Sequence, residues 1–283
     1  MNLLRVANQM PGLRQSKAIA HLHTELEECR RQLAAAQGRA ALFDQLLESA
    51  AYNHDGLITC HKSVGFLRDD RFMSAYRTGV HSGHMFGDAM GTGEDIHIEW
   101  RVHVACWAAQ RARSLPGAFV ECGVNTGIMS LAVCEYIDFN ATDKDFYLFD
   151  TFNGIPESQM AEAERANRVR ENLAMYEECF ERTQENFKPY PRARLVRGLV
   201  PDTLSTVSID QVCYLSIDMN IVVPELAAME FFWDKLVPGA TVIIDDYGWA
   251  NYQLQQEAHD RFAATKGVPI LLLPTGQGVI VKP

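Results

Sequence analysis

Three aspartates that follow two apolar segments are the residues of this sequence best suited to chemistry. Residues 236–248 are interpreted as a turn, a buried strand and the adjacent carboxylates Asp245 and Asp246, while residues 211–217 form another strand that ends at Asp218. In open α/β sheets, ligands bind outside the carboxyl ends of the strands. If the two strands are neighbours, the carboxylates meet there, and such like charges require a cation or a proton between them. The pattern therefore predicts a site for a hard divalent cation.

A glycine-containing turn between a strand and a helix indicates a nucleoside pocket. Gly123 and Gly127 let the backbone turn tightly and approach a ligand. The turn does not match the dinucleotide fingerprint G-x-G-x-x-G, because Asn125 occupies the second glycine position. Asp150 ends the next strand, 23 residues past Gly127, where a carboxylate takes the hydroxyls of a ribose. Glu121 would repel a pyrophosphate but can hold an ammonium group. A ligand with a ribose and an α-amino acid tail, and without phosphates, therefore fits better than NAD. S-adenosylmethionine is such a ligand.

The motifs around these residues resemble those of the macrocin O-methyltransferase (TylF/MycF/NovP) family. They are Glu121-x-Gly123-Val124-x-x-Gly127, Phe149-Asp150-Thr151-Phe152-x-Gly154-Ile155-Pro156, Ile217-Asp218, and Leu236-Val237-Pro238-Gly239 through Asp245-Asp246-Tyr247-Gly248. The similarity covers about Pro116 to the C-terminus, and the motifs fall in the expected order. The family consists of class I methyltransferases that act on sugar hydroxyls of natural products and need Mg²⁺.

The resemblance implies roles for the residues at matching positions. Asp218, Asp245 and Asp246 would bind the metal, either Mg²⁺ or Mn²⁺. Asp202 lies just past the third strand, where such folds bind the adenine. The predicted S-adenosylmethionine pocket comprises Glu121, Gly123, Val124, Asn125, Thr126, Gly127, Asp150, Thr151 and Asp202.

One position departs from the family's pattern. In the family the fourth strand ends in Asp-x-Asp, and the second aspartate is taken as the general base. This chain has Asn220 there, and a neutral amide cannot accept a full proton. The base must lie elsewhere, be dispensable for a more acidic acceptor, or be missing. Because the intrinsic pKa of histidine is about 6.5, His81 and His84 are candidate bases. A purely structural role is the more common one for such histidines.

Ahead of the predicted sheet, residues 19–50 read as a long helix with an apolar seam. The seam repeats at steps of three and four: Ile19, Leu22, Leu26, Cys29, Leu33, Ala36, Ala40, Phe43, Leu47 and Ala50. Such a narrow seam usually packs on a partner helix, which favours a homodimer or higher oligomer; packing on the chain's own domain is equally open. The predicted division is a tail (1–17), a helical arm (18–52), a connector that forms the acceptor-side wall (53–115) and a methyltransferase domain (116–283).

From Pro116 onward, strands and helices alternate. The predicted strands are residues 118–122, 146–149, 193–196, 212–217, 241–244, 269–273 and 278–281. Repeated βα units imply an α/β fold with a doubly wound, mostly parallel, Rossmann-like sheet of seven strands. Its C-terminal end is an antiparallel hairpin. Residues 52–93 are expected to be loop-rich, residues 172–187 a single helix, and the polar run Glu157–Arg170 a solvated helix or a lid.

Composition excludes several classes of protein. A formal net charge of −10 argues against a nucleic-acid partner bound through a basic surface. No apolar run approaches the roughly 20 residues of a membrane span, and the N-terminus lacks the apolar core of a signal peptide. The seven cysteines are an odd number without C-x-x-C spacing, which favours reduced thiols in the cytoplasm and makes structural zinc improbable.

The sequence thus predicts a cytoplasmic, metal-dependent O-methyltransferase that uses S-adenosylmethionine. Its acceptor would be a sugar hydroxyl on a glycoside, a nucleotide-sugar or a polysaccharide-type molecule. Asn220 keeps open a catalytically silent methyltransferase-like binding module. A nicotinamide-dependent Rossmann enzyme and a metal hydrolase that uses the three aspartates are further alternatives.

Overall fold

The computed structural model describes residues 11–83 and 95–283, with side chains from residue 21 onward. The candidate base His84 therefore lies outside the described residues. The chain divides into two compact units, Met1–Asn53 with Ile58–Ser63 and His54–Leu57 with Val64–Pro283. Among the helices that the structure describes, none has both the length and the apolar character needed to cross a bilayer.

The elements of the chain begin with one long helix. This is α1 (Pro11–Glu48), and the strands β1 (Tyr52–His54) and β2 (Leu57–Thr59) follow it. Helices α2 (Asp70–Val80) and α3 (Glu99–Ala112) come next. The alternating part comprises β3 (Ala118–Cys122), α4 (Ile128–Tyr136), β4 (Phe146–Asp150), α5 (Glu162–Met175), α6 (Phe180–Phe187), β5 (Ala193–Arg197), β6 (Val212–Ile217), α7 (Val222–Trp233), β7 (Leu236–Ile244), α8 (Gln253–Lys266), β8 (Leu271–Leu272) and β9 (Gly278–Val281).

The seven strands β3 to β9 form one sheet in the order β5-β4-β3-β6-β7-β9-β8. Strands β3 to β7 pair in parallel, and β9 runs antiparallel to both β7 and β8. This confirms the predicted mostly parallel sheet with an antiparallel C-terminal hairpin. The strand order reverses between the neighbouring strands β3 and β6, because β4 and β5 lie on one side of this point and β7, β9 and β8 lie on the other. Ligands bind at such a switch point in open α/β sheets.

The centre of the sheet is apolar on both faces. Every residue of β6 is buried, as expected of a parallel strand covered by helices on both sides. Aromatic side chains fill one face, where the ring of Phe119 lies 5.1 Å from that of Tyr214 and 5.6 Å from that of Phe146, measured between centroids. This packing fixes the strands whose tips carry the site.

The expectation of a loop-rich connector over residues 52–93 is wrong for its described part. Helix α2 occupies part of it, and its buried residues Phe72, Ala75, Tyr76 and Gly79 have the i, i+3, i+4, i+7 spacing of an amphipathic helix. The Asp69 side chain caps the helix by accepting from the Arg71 N–H. The scattered glycines concealed this periodicity.

The segment after β4 also differs from the prediction. Residues 172–187 do not form one helix, because α5 ends at Met175 and α6 begins at Phe180. The polar run lies partly in α5, whose residues are exposed or half-buried except for Glu164 and Arg168, which are buried. The predicted turn at residues 236–239 belongs to β7, whose pairing with β6 shifts register there.

The tips of β3 and β6 approach each other closely at Gly123. Gly123 has φ +90°, and its N–H donates to the Phe149 carbonyl at 2.9 Å. A Cβ placed on Gly123 would lie 1.7 Å from the backbone oxygen of Asp218. Glycine is therefore required, both for the left-handed backbone and for the contact between the two tips.

Gly123→Ala is expected to lower the free energy of unfolding by more than the cost of the left-handed backbone conformation alone. A left-handed backbone costs an alanine about 1–2 kcal/mol, and here the two strand tips must also separate. Gly267→Ala is the matched control, because Gly267 has φ +66° with open space where a Cβ would lie. Urea unfolding of both variants measures the difference, and equal losses of stability would contradict the close contact.

Candidate active site

The sheet register brings the three predicted metal ligands together. Ile217 of β6 pairs with Ile244 of β7, so Asp218 and Asp245 follow paired positions of neighbouring strands. One carboxylate oxygen from each of Asp218, Asp245 and Asp246 lies within 4.8 Å of the other two. Asp245 and Asp246 are buried, and Asp218 is partly exposed. This arrangement is the acidic cluster that the sequence pattern predicted.

Asp245 is held by an arginine and a glutamine. The Arg101 Nη1 donates to the Asp245 Oδ2 at 2.5 Å, and the Gln277 Nε2 donates to the Asp245 Oδ1 at 2.8 Å. Arg101 also donates through Nε to the Asp55 Oδ2 at 2.9 Å. Burial lowers the pKa of Arg101, but the charges of Asp245 and Asp55 outweigh this and raise it. Arg101 is therefore a fixed positive charge beside the acidic cluster.

Asp218 and Asp246 remain poorly compensated. The Asp246 Oδ2 is buried and has no hydrogen-bond partner within the described ranges. Burial first, and then the charge of Asp245, raise the pKa of both Asp218 and Asp246 well above the usual range. A buried carboxylate oxygen without a partner is costly unless a cation or a proton meets it. Three carboxylates around such an oxygen fit an oxygen-ligated divalent cation.

A cleft lies beside the acidic cluster and shares Asp218 with it. Its lining includes eight of the residues predicted from the sequence to form the site: Glu121, Gly123, Val124, Asn125, Asp150, Thr151, Asp218 and Asn220. The structure thus places the predicted nucleoside turn, the predicted ribose carboxylate and one predicted metal ligand around one cavity.

Glu121 is the buried acid of this cleft. Its Oε1 accepts from the Ser130 hydroxyl at 3.2 Å, while its Oε2 is buried without a partner in the described part of the chain. Burial first, and then the charge of Asp218, raise the pKa of Glu121 well above the usual range. A cationic ligand group would compensate this oxygen, which is the role the sequence predicted for Glu121.

Asp150 organises the turn that surrounds it. Its Oδ2 accepts from the N–H groups of Val124 and Asn125 at 2.5 and 2.8 Å, and its Oδ1 accepts from the N–H of Phe152 at 2.6 Å. These bonds occupy much of the acceptor capacity of the carboxylate. Its predicted ribose contact stays a prediction and would use the remaining lone pairs.

Other predicted residues lie away from the cleft lining. Thr126 is buried and shares a hydrogen bond of 2.8 Å with the Ser82 hydroxyl, and Gly127 caps α4. Asp202 and His81 are exposed, and neither is among the residues that line the cleft. The functions predicted for these four residues stay predictions.

Asn220 occupies the predicted base position and is held by its neighbours. It has φ +63°, its Oδ1 accepts from the Tyr252 hydroxyl at 2.8 Å, and its Nδ2 donates to the Asp218 Oδ1 at 3.4 Å. The Arg168 guanidinium carbon lies 3.5 Å from the centre of the Tyr252 ring. Because the Asn220 amide donates to a carboxylate, it orients Asp218, a predicted metal ligand, and accepts no proton.

The buried pair Glu225 and His259 supports the loop that carries Asp218 and Asn220. The Glu225 Oε1 accepts from the Met219 N–H at 3.3 Å, and its Oε2 lies 3.1 Å from the His259 Nε2. Both side chains are 1% exposed. The loop that carries Asp218 is thus tied to α7 and α8.

Sequence reasoning missed Arg101 and Gln277. A signal existed for Arg101, which stands three residues after Ile98 and four before Ala105 on the apolar stripe of α3. An arginine on a buried stripe needs a carboxylate partner. No comparable signal exists for Gln277, because its contact with Asp245 joins residues 32 positions apart.

The sheet order and the cleft at its switch point define a Rossmann-like methyltransferase. Residues 101–273 match the model of a family described as macrocin-O-methyltransferase (TylF), and the chain belongs to this family. The family and the fold class predicted from the sequence are confirmed. So is the assignment to a family of S-adenosylmethionine-dependent O-methyltransferases.

One curated relative is 27% identical over 149 residues, which are 50% of this chain and 57% of the relative. It is 8-demethyl-8-(2,3-dimethoxy-alpha-L-rhamnosyl)-tetracenomycin-C 4'-O-methyltransferase of Streptomyces olivaceus. The chain thus matches little more than half the length of this relative.

Two solved structures share the fold. The O-methyltransferase NovP has a TM-score of 0.64 at 18% identity, over 76% of this chain and 98% of that chain. The calicheamicin methyltransferase CalS11 has a TM-score of 0.55 at 15% identity, over 78% of this chain and 94% of that chain.

The variant Asp246→Asn tests the acidic cluster in an experiment that needs no acceptor substrate. The metal-free variant is expected to be more stable than the wild type, because a buried like charge is removed. Added Mg²⁺ should stabilise the wild type, by about 2.7 kcal/mol at 100 times its dissociation constant, and the variant far less. Thermal unfolding with and without Mg²⁺ measures both effects.

Asp234→Asn is the control, since Asp234 is 88% exposed. If Mg²⁺ stabilised Asp246→Asn as much as it stabilises the wild type, the result would contradict a cation site at this cluster.

Proposed function

We propose that this protein is an S-adenosylmethionine-dependent and divalent-metal-dependent O-methyltransferase that acts on a sugar hydroxyl. One observation supports this above the others: Asp218 both lines the nucleoside cleft and belongs to the acidic cluster. A methyl donor in the cleft and an acceptor oxygen at the cluster would share this residue as a neighbour. Transfer between them needs such proximity.

The cofactor would bind along the tips of β3 and β4. Glu121, whose Oε2 has no partner among the described residues, would hold the ammonium group of its methionine part, and Asp150 would hold its ribose. The aromatic ring of Tyr176, with Met129 and Val200, supplies apolar wall for the rest of the nucleoside. Among the described residues of this cleft there is no basic side chain, which suits a ligand without phosphates.

The metal would be held by Asp218, Asp245 and Asp246, with Mg²⁺ or Mn²⁺ as candidates. When bound, it neutralises the cluster and lowers the pKa of an acceptor hydroxyl. Arg101 keeps Asp245 in place through a bond of 2.5 Å, so the cluster retains its geometry before the cation arrives.

The chain's own residues would position the reaction, and the residue at the family's base position, Asn220, is not a base. S-adenosylmethionine would supply the methyl group to the acceptor oxygen and leave as S-adenosylhomocysteine, and the hydroxyl proton would pass to a base or to solvent. Asn220 has no proton affinity for this step, and its Nδ2 points at Asp218. The base for this proton lies elsewhere in the chain, is dispensable for a more acidic acceptor, or is missing.

The acceptor would lie against Trp249 and Arg101. The Trp249 indole Nε1 is buried without a partner in the described ranges, and the Arg101 guanidinium lies 5.6 Å from the centre of its ring. An aromatic face with nearby polar donors suits a sugar ring. The curated relative methylates a rhamnosyl group by its printed name, and we extend a sugar acceptor of glycoside, nucleotide-sugar or polysaccharide type to this chain.

We further infer a cytoplasmic location and a second copy of the chain as partner. All seven cysteines are free in the structure and five are buried, which supports a reducing compartment. The long exposed helix α1 supports self-association.

A direct assay tests the activity. The protein is incubated with S-adenosylmethionine, Mg²⁺ and a panel of glycosides and nucleotide-sugars, and S-adenosylhomocysteine is quantified. Turnover should require the metal, stop on chelation with EDTA and return with Mg²⁺ or Mn²⁺. Asp218→Asn should lower turnover at least about 100-fold, while Asp210→Asn, at an exposed position, should not. Cofactor binding by calorimetry without turnover on any acceptor would instead support the silent module.

Asn220→Asp tests the base position. A carboxylate there can accept the acceptor proton, and general bases contribute about 10²–10⁴-fold, so we expect a rise in kcat that grows with pH. Tyr252→Phe is the paired control, because it removes the hydrogen bond to the Asn220 Oδ1 without adding a base. A fall in kcat for Asn220→Asp would show that this residue serves only to orient Asp218.

A further inference from the structure

Helix α1 presents apolar side chains to solvent along one seam. Its 38 residues correspond to a length of about 57 Å at 1.5 Å per residue. Leu22, Leu26, Leu33 and Phe43 are 63%, 46%, 58% and 53% exposed. Large apolar side chains exposed in a row mark an interaction surface.

The spacing of this seam is that of a coiled coil. From Leu22 to Leu47 the steps alternate between four and three without interruption. A strict period of 3.5 residues keeps one seam facing a partner helix in a left-handed supercoil. In heptad notation the a positions are Leu26, Leu33, Ala40 and Leu47, and the d positions are Leu22, Cys29, Ala36 and Phe43.

We propose that α1 pairs with α1 of a second copy of this chain as a parallel, in-register coiled coil. In a parallel pair, each g residue faces the e residue five positions further along the other helix. The resulting pairs are Glu25 with Arg30, Gln32 with Gln37, and Arg39 with Asp44. Two of the three pairs join opposite charges and the third joins two amides, so the surface is complementary to itself.

The antiparallel alternative loses this complementarity. When the seam is aligned so that Leu26 faces Phe43, Glu25 faces Leu46 and Arg30 faces Gln37. Neither ion pair then forms. Each exposed pair contributes only about 0.2–1 kcal/mol, but such flanking charges decide the orientation of coiled coils whose seams permit both.

The middle of the seam is its weakest part. Ala36 and Ala40 bury little area, and Gly38 lowers helix propensity between them. The leucine positions on either side therefore provide most of the apolar burial. This inference refines the proposed self-association and does not depend on methyl transfer, because the cleft and the acidic cluster lie in the second unit.

Cys29 reports the orientation directly. At a d position it faces Cys29 of the second copy in a parallel pair, whereas the antiparallel alignment places it opposite Ala40. The full chain with Cys60→Ser is oxidised with copper-phenanthroline, because Cys29 and Cys60 are the two cysteines that are not buried. We expect a disulfide-linked dimer that the further change Cys29→Ser abolishes.

Association itself is measured by analytical ultracentrifugation of the full chain. Leu33→Asp should raise the dimer dissociation constant at least about 100-fold, since each subunit places a charge in the seam. Leu42→Asp is the matched control, because Leu42 is 68% exposed but lies outside the seam. Unfolding curves of both variants check that the second unit remains folded.

Charge exchange tests the register. Glu25→Arg should weaken the dimer about tenfold by facing Arg30, and adding Arg30→Glu should restore it. A monomeric wild type, or a dimer equally sensitive to Leu33→Asp and Leu42→Asp, would overturn the association. A dimer that forms no Cys29 disulfide, or that the double charge exchange fails to restore, would overturn the parallel register while leaving self-association standing.

Discussion

Buried like charge at the tips of β6 and β7 is the constraint on which the rest of this structure depends. Asp218, Asp245 and Asp246 place carboxylate oxygens within 4.8 Å of one another, and within the described part of the chain only Asp245 has a buried cation, Arg101, in direct contact. An arrangement of this kind costs stability in the absence of a ligand. The surrounding fold tolerates it because the parallel strands below are packed as a continuous apolar core, which holds the tips in register. Such stored electrostatic cost is typical of functional sites.

The contact between Gly123 and Asp218 joins the two halves of the site. A side chain at position 123 would collide with the backbone of Asp218, so the glycine turn after β3 and the loop that carries the acidic cluster meet through their main chains. Asp150 contributes by gathering three backbone N–H groups around its carboxylate. The cleft is therefore shaped before any ligand binds, which reduces the cost of ordering it on binding.

Asn220 is better understood through its contacts than as a missing aspartate. Its amide lies between the Tyr252 hydroxyl and Asp218, and Arg168 of α5 covers the Tyr252 ring. A charged residue at this position would add a carboxylate beside Asp218, whose pKa is already raised by burial and by Asp245. The asparagine thus limits the like charge at the cluster and, in exchange, provides no base. The polar helix α5, for which the sequence left a lid as an alternative, contributes the buried Arg168 to this network.

The sequence by itself determined the strands, their order of appearance and the acidic residues at their ends, because a period of two or a short apolar run and the turn residues are local signals. The glycine turn after β3, the carboxylate after β4 and the three aspartates were all identified in this way. The helix α2 was missed, since glycines concealed its apolar spacing. Only the tertiary structure decided which side chains meet these residues. The contacts of Arg101 with Asp245 and of Tyr252 with Asn220 join residues 144 and 32 positions apart. Such pairings depend on how separate elements pack, and no local pattern in the sequence encodes that packing.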